Sequence, residues 1–147
     1  MATTMTMSEF KALVAKAIPA GRRVLGVSPP GCGKTEGTQQ VVETELGRRM
    51  FPMSMPLVGP EYVAGYPFRE GGRASHAPFG VLADALDCKE PACIVLDDLG
   101  MATEATVKAA LRFVQCGDIG DRKLPAHVGL VALSNDVTNA AGVMGLM

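Results

Sequence analysis

The sequence SPPGCGKT at residues 28–35 decides the fold of this chain. It follows a short apolar run at residues 24–27 and leads into a segment that can be helical. This strand–loop–helix context is the one that a phosphate-binding loop requires. Small residues let backbone N–H groups close around the β- and γ-phosphates of a nucleotide, and the following helix points its positive dipole end at them. The stretch therefore predicts a nucleotide-binding loop.

The polar residues of this loop each have a chemical role. Lys34 adds a mobile positive charge beside the phosphates, and the Thr35 hydroxyl can ligate Mg²⁺. The residues predicted to bind the nucleotide are Pro30, Gly31, Cys32, Gly33, Lys34, Thr35 and Glu36. Ser28 stands where the usual pattern has Gly, which costs roughly 1–2 kcal/mol if the backbone there needs a positive φ. The alternative interpretation is an ordinary Gly/Pro turn between a strand and a helix.

The composition is that of one globular domain. The chain has 147 residues, of which 48% are apolar and 20% charged, with a formal net charge of −1. No polybasic run indicates nucleic acid or an acidic membrane as a partner, although a local basic loop stays compatible with this charge. No apolar stretch approaches the roughly 20 residues that span a bilayer, and the N-terminus does not resemble a signal peptide. We expect a cytoplasmic protein whose cysteines are reduced thiols.

Apolar periodicity predicts strands that alternate with helices. The helices are expected at residues 8–18, 34–46, 78–87 and 103–116, and the strands at 23–27, 50–55, 92–96 and 128–133. Ser8 and Thr103 are predicted to cap their helices. The unbroken apolar run at 92–96 is typical of a strand buried on both faces, so the predicted fold is α/β, a parallel sheet with helices on both faces. Residues 1–7 are expected to be disordered and residues 8–147 to form one domain.

Two adjacent acids follow the strand at residues 92–96. A carboxylate at the tip of a buried strand, beside the phosphate-loop strand or one strand away, is where Mg²⁺ is held through water. Asp97 is predicted to take that role together with Thr35, and Asp98 to orient the water that attacks the γ-phosphate. The alternative is a pair of acids that cap the next helix.

A third polar position follows the strand at residues 128–133. The side chain of Asn135 can reach the γ-phosphate or the attacking water, although a turn-forming Ser-Asn-Asp cluster is the alternative. The predicted catalytic residues are Asp98, Asn135 and Lys34.

These motifs together resemble those of the AAA+ ATPases. Residues 28–35 look like Walker A, residues 94–98 like Walker B, and residues 133–135 like sensor 1. The chain looks most like the MoxR-type and related phage or bacterial members, because a helix and the segment GDIGDRKLP at 117–125 precede the sensor strand. The resemblance covers about residues 10–142.

The resemblance implies a fold, cofactors and partners. The fold is a three-layer P-loop NTPase core with a short hairpin ahead of sensor 1. The cofactors are ATP and Mg²⁺, and the activity is ATP hydrolysis that drives remodelling of a partner macromolecule. The partners are further copies of the chain in a ring, a hexamer in this family, and a client protein, with no membrane.

The sequence departs from the family in two ways. Asp98 stands where the family usually has Glu, and its side chain is shorter by about 1.5 Å. A displacement of about 1 Å can cost on the order of 10²-fold in rate. The chain also reaches Met147 before the arginine finger, fifth strand and helical lid of the family, so we expect a C-terminally incomplete core without a lid. Because an arginine finger supplies about 10³–10⁵-fold, slow turnover is expected.

Two other functions stay open at this point. One is a helicase-loader or transposition-helper ATPase that acts on DNA, which the Asp97-Asp98 pair favours. The other is a nucleotide-binding regulatory subunit that does not hydrolyse ATP.

The connection at residues 56–75 contains several aromatic and basic residues. Tyr62, Tyr66, Phe68, Arg69 and Arg73 could grip a peptide or a nucleic-acid strand. The alternative, which we favour from sequence, is that the rings pack under the connection and hold it on the domain.

Overall fold

The computed structural model describes residues 5–29 and 33–135. Three of the predicted nucleotide-binding residues, Pro30, Gly31 and Cys32, lie outside the described residues, as does everything after Asn135. In these two ranges, none of the helices is long and apolar enough to cross a membrane.

Eight strands and five helices make up these ranges. The strands are β1 (Val24–Ser28), β2 (Arg49–Ser54), β3 (Tyr66–Glu70), β4 (Arg73–Ala77), β5 (Ala92–Asp97), β6 (Asp118–Ile119), β7 (Arg122–Lys123) and β8 (Val128–Asn135). The helices are α1 (Met7–Ala17), α2 (Lys34–Gln39), α3 (Glu61–Ala64), α4 (Gly80–Asp87) and α5 (Glu104–Cys116). The chain of α2 continues as a π-helix over Gln40–Glu45, and 3₁₀ turns follow β2 at Met55–Leu57 and β5 at Leu99–Met101.

Four of the strands form a parallel sheet in the order β1-β8-β5-β2. The strand that carries Asp97 is therefore one strand away from β1, with β8 between them. Pairing of Ser28 with Asn135 aligns the ends of β1 and β8. The predicted parallel α/β sheet is confirmed.

Helices cover both faces of this sheet. On one face α1 and the α2 segment pack through Phe10, Val14 and Val41, which contact residues of β5 and β8 such as Val95 and Val131. On the other face Leu82 and Leu86 of α4 and Phe113 of α5 pack against the alternate strand residues, among them Ile94 and Leu130. Full burial of one such side chain contributes about 1.5–3 kcal/mol. The two cores give the predicted three-layer architecture.

The first helix begins earlier than the sequence suggested. The side chain of Thr6 accepts a hydrogen bond from the backbone N–H of Glu9 at 3.2 Å, and the Glu9 side chain accepts one from the Thr6 N–H at 3.1 Å. This reciprocal capping box fixes the start of α1 at Met7, so the prediction of Ser8 as the cap was wrong. Thr6 and Met7, placed in the N-terminal segment from sequence, are thus the cap and first residue of α1.

Strand β2 contains a proline, Pro52, within its pairing with β5. The N–H of Arg49 donates to the carbonyl of Pro91, the residue before β5. Since the backbone N–H direction alternates along a strand, the N–H groups of residues 51 and 53 also point toward β5 and position 52 points outward. Pro52 therefore costs the ladder no hydrogen bond, and β2 continues through it at the edge of the sheet.

The side chain of Arg23, the residue before β1, holds the end of α5. The guanidinium of Arg23 donates to the carbonyl oxygens of Val114 and Gln115, at 2.7 Å for Gln115. The last carbonyls of a helix lack intrahelical donors, and a cation there also complements the helix dipole. The contact fixes the start of β1 against α5, in the helix layer that also contains α4.

The predicted connection at 56–75 is more ordered than sequence suggested. Strands β3 and β4 form an antiparallel hairpin whose tip is Gly71-Gly72, both with positive φ. The ring of Phe79 lies 4.7 Å from that of Tyr62 and 5.8 Å from that of Tyr66, measured between ring centroids. Tyr62 and Tyr66 therefore contact Phe79 at the base of the hairpin, but Tyr66 stays 60% and Phe68 40% exposed. Of these three rings, only the half-buried Tyr62 agrees with the packing interpretation.

A second hairpin, β6–β7, supports the first. It comes just before β8, where the family resemblance implied a hairpin. The backbone N–H of Asp121 donates to the carbonyl of His76 in β4 at 3.2 Å. Its neighbour Gly120 has φ 56°, and a Cβ there would collide with the same carbonyl oxygen.

The cysteines in the described ranges are free thiols. Cys88, Cys93 and Cys116 form no disulfide. Burial raises the pKa of the Cys93 thiol to about 12, partly offset by the charge of Arg48. Cys93 is therefore a neutral core residue.

The substitution Gly120→Ala should destabilise the fold by about 2–4 kcal/mol, because it combines a strained positive φ with a collision against a backbone carbonyl. Gly71→Ala is the matched control: its φ is 58°, but a Cβ there meets no other atom. The control should lose only about 1–2 kcal/mol. Urea unfolding measures both, and equal losses would show that the contact between the hairpins is unimportant.

Candidate active site

The site lies at the carboxyl ends of β1, β8 and β5. All strands of the sheet run parallel, so their carboxyl ends share one edge, where ligands of open α/β sheets bind. Helix α2 begins at this edge, directly after the loop that follows β1. The described site residues therefore come from four separate elements.

Gly33 forms the start of α2. It is the N-cap residue with φ 83° and ψ 23°, a left-handed conformation that glycine adopts without a Cβ penalty. No side chain caps this helix end. The carbonyl of Gly33 accepts the first helical hydrogen bond from Gly37 at 2.8 Å. The N–H groups of the first turn thus have no side-chain acceptor, and an anion can accept from them.

Lys34 is held between β1 and β8. Its Nζ donates to Oδ1 of Asn135 at 3.2 Å and lies 3.5 Å from the carbonyl oxygen of Ser28. Both Lys34 and Asn135 are half-buried. The sequence predicted a role for each residue separately, but not this direct contact, and the Ser28 carbonyl was missed because a backbone oxygen leaves no sequence signal.

Thr35 is held by the aspartate at the end of β5. Its hydroxyl lies 3.1 Å from Oδ1 and 3.0 Å from Oδ2 of Asp97. A hydroxyl and a carboxylate that touch in this way form a set of hard oxygen ligands, which suits Mg²⁺. Among residues 5–29 and 33–135 there is no cluster of three or more His, Cys, Asp or Glu residues suited to a metal. Nucleotide-bound Mg²⁺ does not need one, because phosphates and water supply most of its ligands.

Asp98 has a backbone conformation that L-residues seldom adopt. Its φ of 54° makes it the one non-glycine residue with positive φ among the described residues. Its N–H donates to Oδ1 of Asp97 at 2.9 Å. Its carboxylate has no hydrogen-bond partner within the described ranges and is half-buried, so it is available to a ligand at this edge.

The departure at Ser28 causes no backbone strain. Ser28 is the last residue of β1, paired with Asn135, and its φ is not positive. The backbone there is extended, so the penalty considered from sequence does not arise.

The remaining predicted residue of the site is Glu36. It lies in the first turn of α2 and is exposed to solvent. An acid at this position complements the helix dipole. Of the predicted site residues that the structure describes, side-chain hydrogen bonds join Lys34 to Asn135 and Thr35 to Asp97. Asp98 is joined to its neighbour Asp97 only through its backbone N–H.

Comparison with known proteins identifies the fold. No protein-family model and no curated protein matches the sequence. Among solved structures, the ADP complex of NtrX from Brucella abortus is 14% identical with a TM-score of 0.54, over 93% of this chain and 31% of that one. A RuvB variant from Thermotoga maritima is 16% identical with a TM-score of 0.55, over 90% of this chain and 40% of that one.

A second structure of Thermotoga maritima RuvB, described as a Holliday junction branch migration motor, is 17% identical with a TM-score of 0.52. It covers 87% of this chain, and the chain covers 37% of it. The chain thus spans only 31% to 40% of the length of these proteins. At such low identity the likeness shows the fold alone, a parallel α/β sheet with helices on both faces.

The conformation of Asp98 predicts the order of stability of two variants. Asp98→Gly should be more stable than Asp98→Ala by about 1 kcal/mol, because glycine adopts a positive φ at no cost. Asp84, exposed on α4, is the matched control, since in a helix the order reverses and Ala is favoured by about 1 kcal/mol. Urea unfolding checks both pairs, and the same order at both positions would contradict the left-handed assignment.

Proposed function

We propose that this chain is an ATPase that binds ATP with Mg²⁺ and hydrolyses it. The observation that carries the proposal is the double contact across the sheet edge, Lys34 with Asn135 and Thr35 with Asp97. Lys34 and Thr35 are the first residues of α2. They are thereby placed against the amide at the end of β8 and the carboxylate at the end of β5. An ordinary turn between a strand and a helix has no need of this arrangement.

Lys34 and the start of α2 are proposed to bind the triphosphate. The ammonium group supplies positive charge to the β- and γ-phosphates, and the N–H groups of the first turn of α2 donate to their oxygens. On binding, the bond from Lys34 to Asn135 is exchanged for one to phosphate. The amide of Asn135 then faces the γ-phosphate and can respond to its loss.

Thr35 and Asp97 are the residues that would hold Mg²⁺. The ion would neutralise the negative charge that develops on the phosphate oxygens. In this proposal the Asp97 carboxylate would accept hydrogen bonds from water bound to the ion. The N–H of Asp98 donates to Oδ1 of Asp97 and keeps the Asp97 carboxylate oriented. The Thr35 hydroxyl, which donates to Asp97 here, would turn its lone pair toward the ion.

Asp98 is proposed to orient the attacking water and to accept its proton. Its carboxylate follows Asp97 directly and carries no hydrogen bond from the described residues. The left-handed backbone at Asp98 redirects the chain after β5 and so sets the direction of this side chain. Because Asp is shorter than Glu, we expect hydrolysis to be slow.

The wider role follows from the resemblance of the motifs. We propose that the chain acts in the cytoplasm as a subunit of an AAA+ ring, MoxR-like in type, that remodels a partner macromolecule. NtrX, one of the similar structures, was crystallised with ADP, and RuvB is described as a motor. In such a ring a neighbouring subunit would supply an arginine finger, which would raise the rate of hydrolysis.

Lys34→Ala should weaken ATP binding about 100-fold, because it removes the charged donor to the phosphates. Lys16→Ala, at an exposed position on α1, is the matched control and should leave binding unchanged. Equilibrium titration with a fluorescent ATP analogue and Mg²⁺ measures both. Equal affinity of Lys34→Ala and the parent would refute nucleotide binding at this site.

Asp98→Asn should lower the rate of single-turnover ATP hydrolysis by on the order of 10²-fold, while the Kd for ATP stays near that of the parent. Asp84→Asn serves as the control for the same change at an exposed position. A parent protein that binds ATP but releases no product would instead indicate a non-hydrolysing regulatory subunit. Equal rates for Asp98→Asn and the parent would remove Asp98 from the mechanism.

A further inference from the structure

The turn between β5 and α5, residues 98–103, carries Asp98 and begins at the edge of the site. The N–H of Asp98 donates to Asp97, and its carbonyl accepts from the N–H of Met101 at 3.0 Å. Leu99 is fully buried and anchors the turn in the core. A non-glycine residue with positive φ keeps that conformation only where its surroundings fix it. The direction of the Asp98 carboxylate therefore depends on how both ends of the β5–α5 turn are held.

Two threonines hold the far end of the β5–α5 turn. Thr103 is the N-cap of α5, and its Oγ1 accepts from the backbone N–H of Thr106 at 3.3 Å. The two hydroxyl oxygens lie 2.9 Å apart, and Oγ1 of Thr106 donates to the carbonyl of Val58 at 3.3 Å. Each hydroxyl has one proton to donate. Since the proton of Thr106 goes to Val58, the hydroxyl of Thr103 must donate to Thr106, and one chain of hydrogen bonds leads from Thr103 to Val58.

Thr106 is the buried member of this hydrogen-bond chain. Its side chain is fully buried, whereas Thr103 is exposed and Val58 is half-buried. A threonine in a helix commonly bonds back to a carbonyl of the preceding turn of that helix. Here the hydroxyl instead leaves the helix and bonds to a residue that lies 48 positions earlier. The bond therefore joins two separate parts of the fold and is not needed to cap α5.

The bond to Val58 closes a frame around Asp98. Val58 lies shortly after Ser54, the last residue of β2, and Ser54 is paired with Asp97. The β5–α5 turn is thus attached to one segment at two points: before Asp98 by the pairing of the strands, and after it by the hydroxyl of Thr106. Without that hydroxyl only the first attachment to this segment remains.

We propose that Thr106 is a positioning residue for ATP hydrolysis. By joining the start of α5 to Val58, its hydroxyl fixes the β5–α5 turn and so directs the Asp98 carboxylate toward the attacking water. Lys34 and Thr35 bind the nucleotide from a different helix, so the effect of Thr106 is on the rate of hydrolysis and not on the affinity for ATP. The inference rests on the proposed function, because Thr106 acts through Asp98.

The first test is single-turnover hydrolysis by the full chain with saturating ATP and Mg²⁺. Thr106→Val removes the hydroxyl and should lower the rate about tenfold, less than the 10²-fold or so that a displacement of about 1 Å can cost. The Kd for ATP should not change, and Thr106→Ser, which keeps the hydroxyl, should recover most of the rate. Thr38→Val is the matched control, since Thr38 is equally buried but its hydroxyl has no hydrogen-bond partner among the described residues.

A double variant separates positioning from general damage to the fold. In the background of Asp98→Asn, Thr106→Val should cause no further loss of rate, because residues that act as a unit are not additive. A further loss of the same size as in the parent would overturn the proposal. So would a parent-like rate for Thr106→Val alone, or a loss that Thr106→Ser does not recover.

Amide hydrogen exchange gives a readout that does not require hydrolysis. The N–H of Met101 bonds to the Asp98 carbonyl, so Thr106→Val should speed its exchange about tenfold, a factor typical of one lost hydrogen bond. Thr106→Ser and Thr38→Val should leave it unchanged. Unchanged protection of Met101 in Thr106→Val would overturn the proposal. A parent that binds ATP without hydrolysing it would overturn the proposed function instead, and exchange would still decide whether Thr106 fixes the turn.

Discussion

The position of β8 between β1 and β5 is the constraint on which the site depends. It places Asn135 within 3.2 Å of Lys34, 101 residues earlier in the chain. It also sets β5 one strand further out, where Asp97 meets Thr35 rather than Lys34. If β5 paired directly with β1, the amide and the carboxylate would exchange places. The strand order therefore decides which polar group meets the charged residue and which meets the hydroxyl.

Much of this arrangement could be predicted from the sequence, because local patterns and parallel strands act together. The unbroken apolar run at 92–96 indicated a strand buried on both faces, and its neighbours alternate between two cores as expected. Polar residues that end parallel strands must meet at one edge, which brought Asp97, Asp98 and Asn135 to the edge at which α2 begins. The order of the strands was left open, since periodicity reports which face is buried and carries no information on neighbours.

The features that sequence reasoning missed depend on contacts between distant residues. The hairpin at 66–77 has no alternation of apolar and polar residues, because neither of its faces is buried. The N-cap of α1 is Thr6 and not the predicted Ser8, because Glu9 at position N3 completes a capping box with Thr6. The left-handed backbone of Asp98 is equally hidden, since an aspartate in a polar turn can adopt several conformations. In each case a tertiary or reciprocal contact selects between local options of similar energy.

The proline of β2 has a consequence for how this sheet can grow. Pro52 presents no N–H on the outer side of β2, so a strand that approached this side would find a donor missing from the middle of the edge. In the described part of the chain, the outer side of β1 has an edge without proline, and its five residues are uncharged. A further strand, from the same polypeptide or from another molecule, would therefore lose no donor by pairing with the outer edge of β1, whereas pairing with β2 would lose the N–H at position 52.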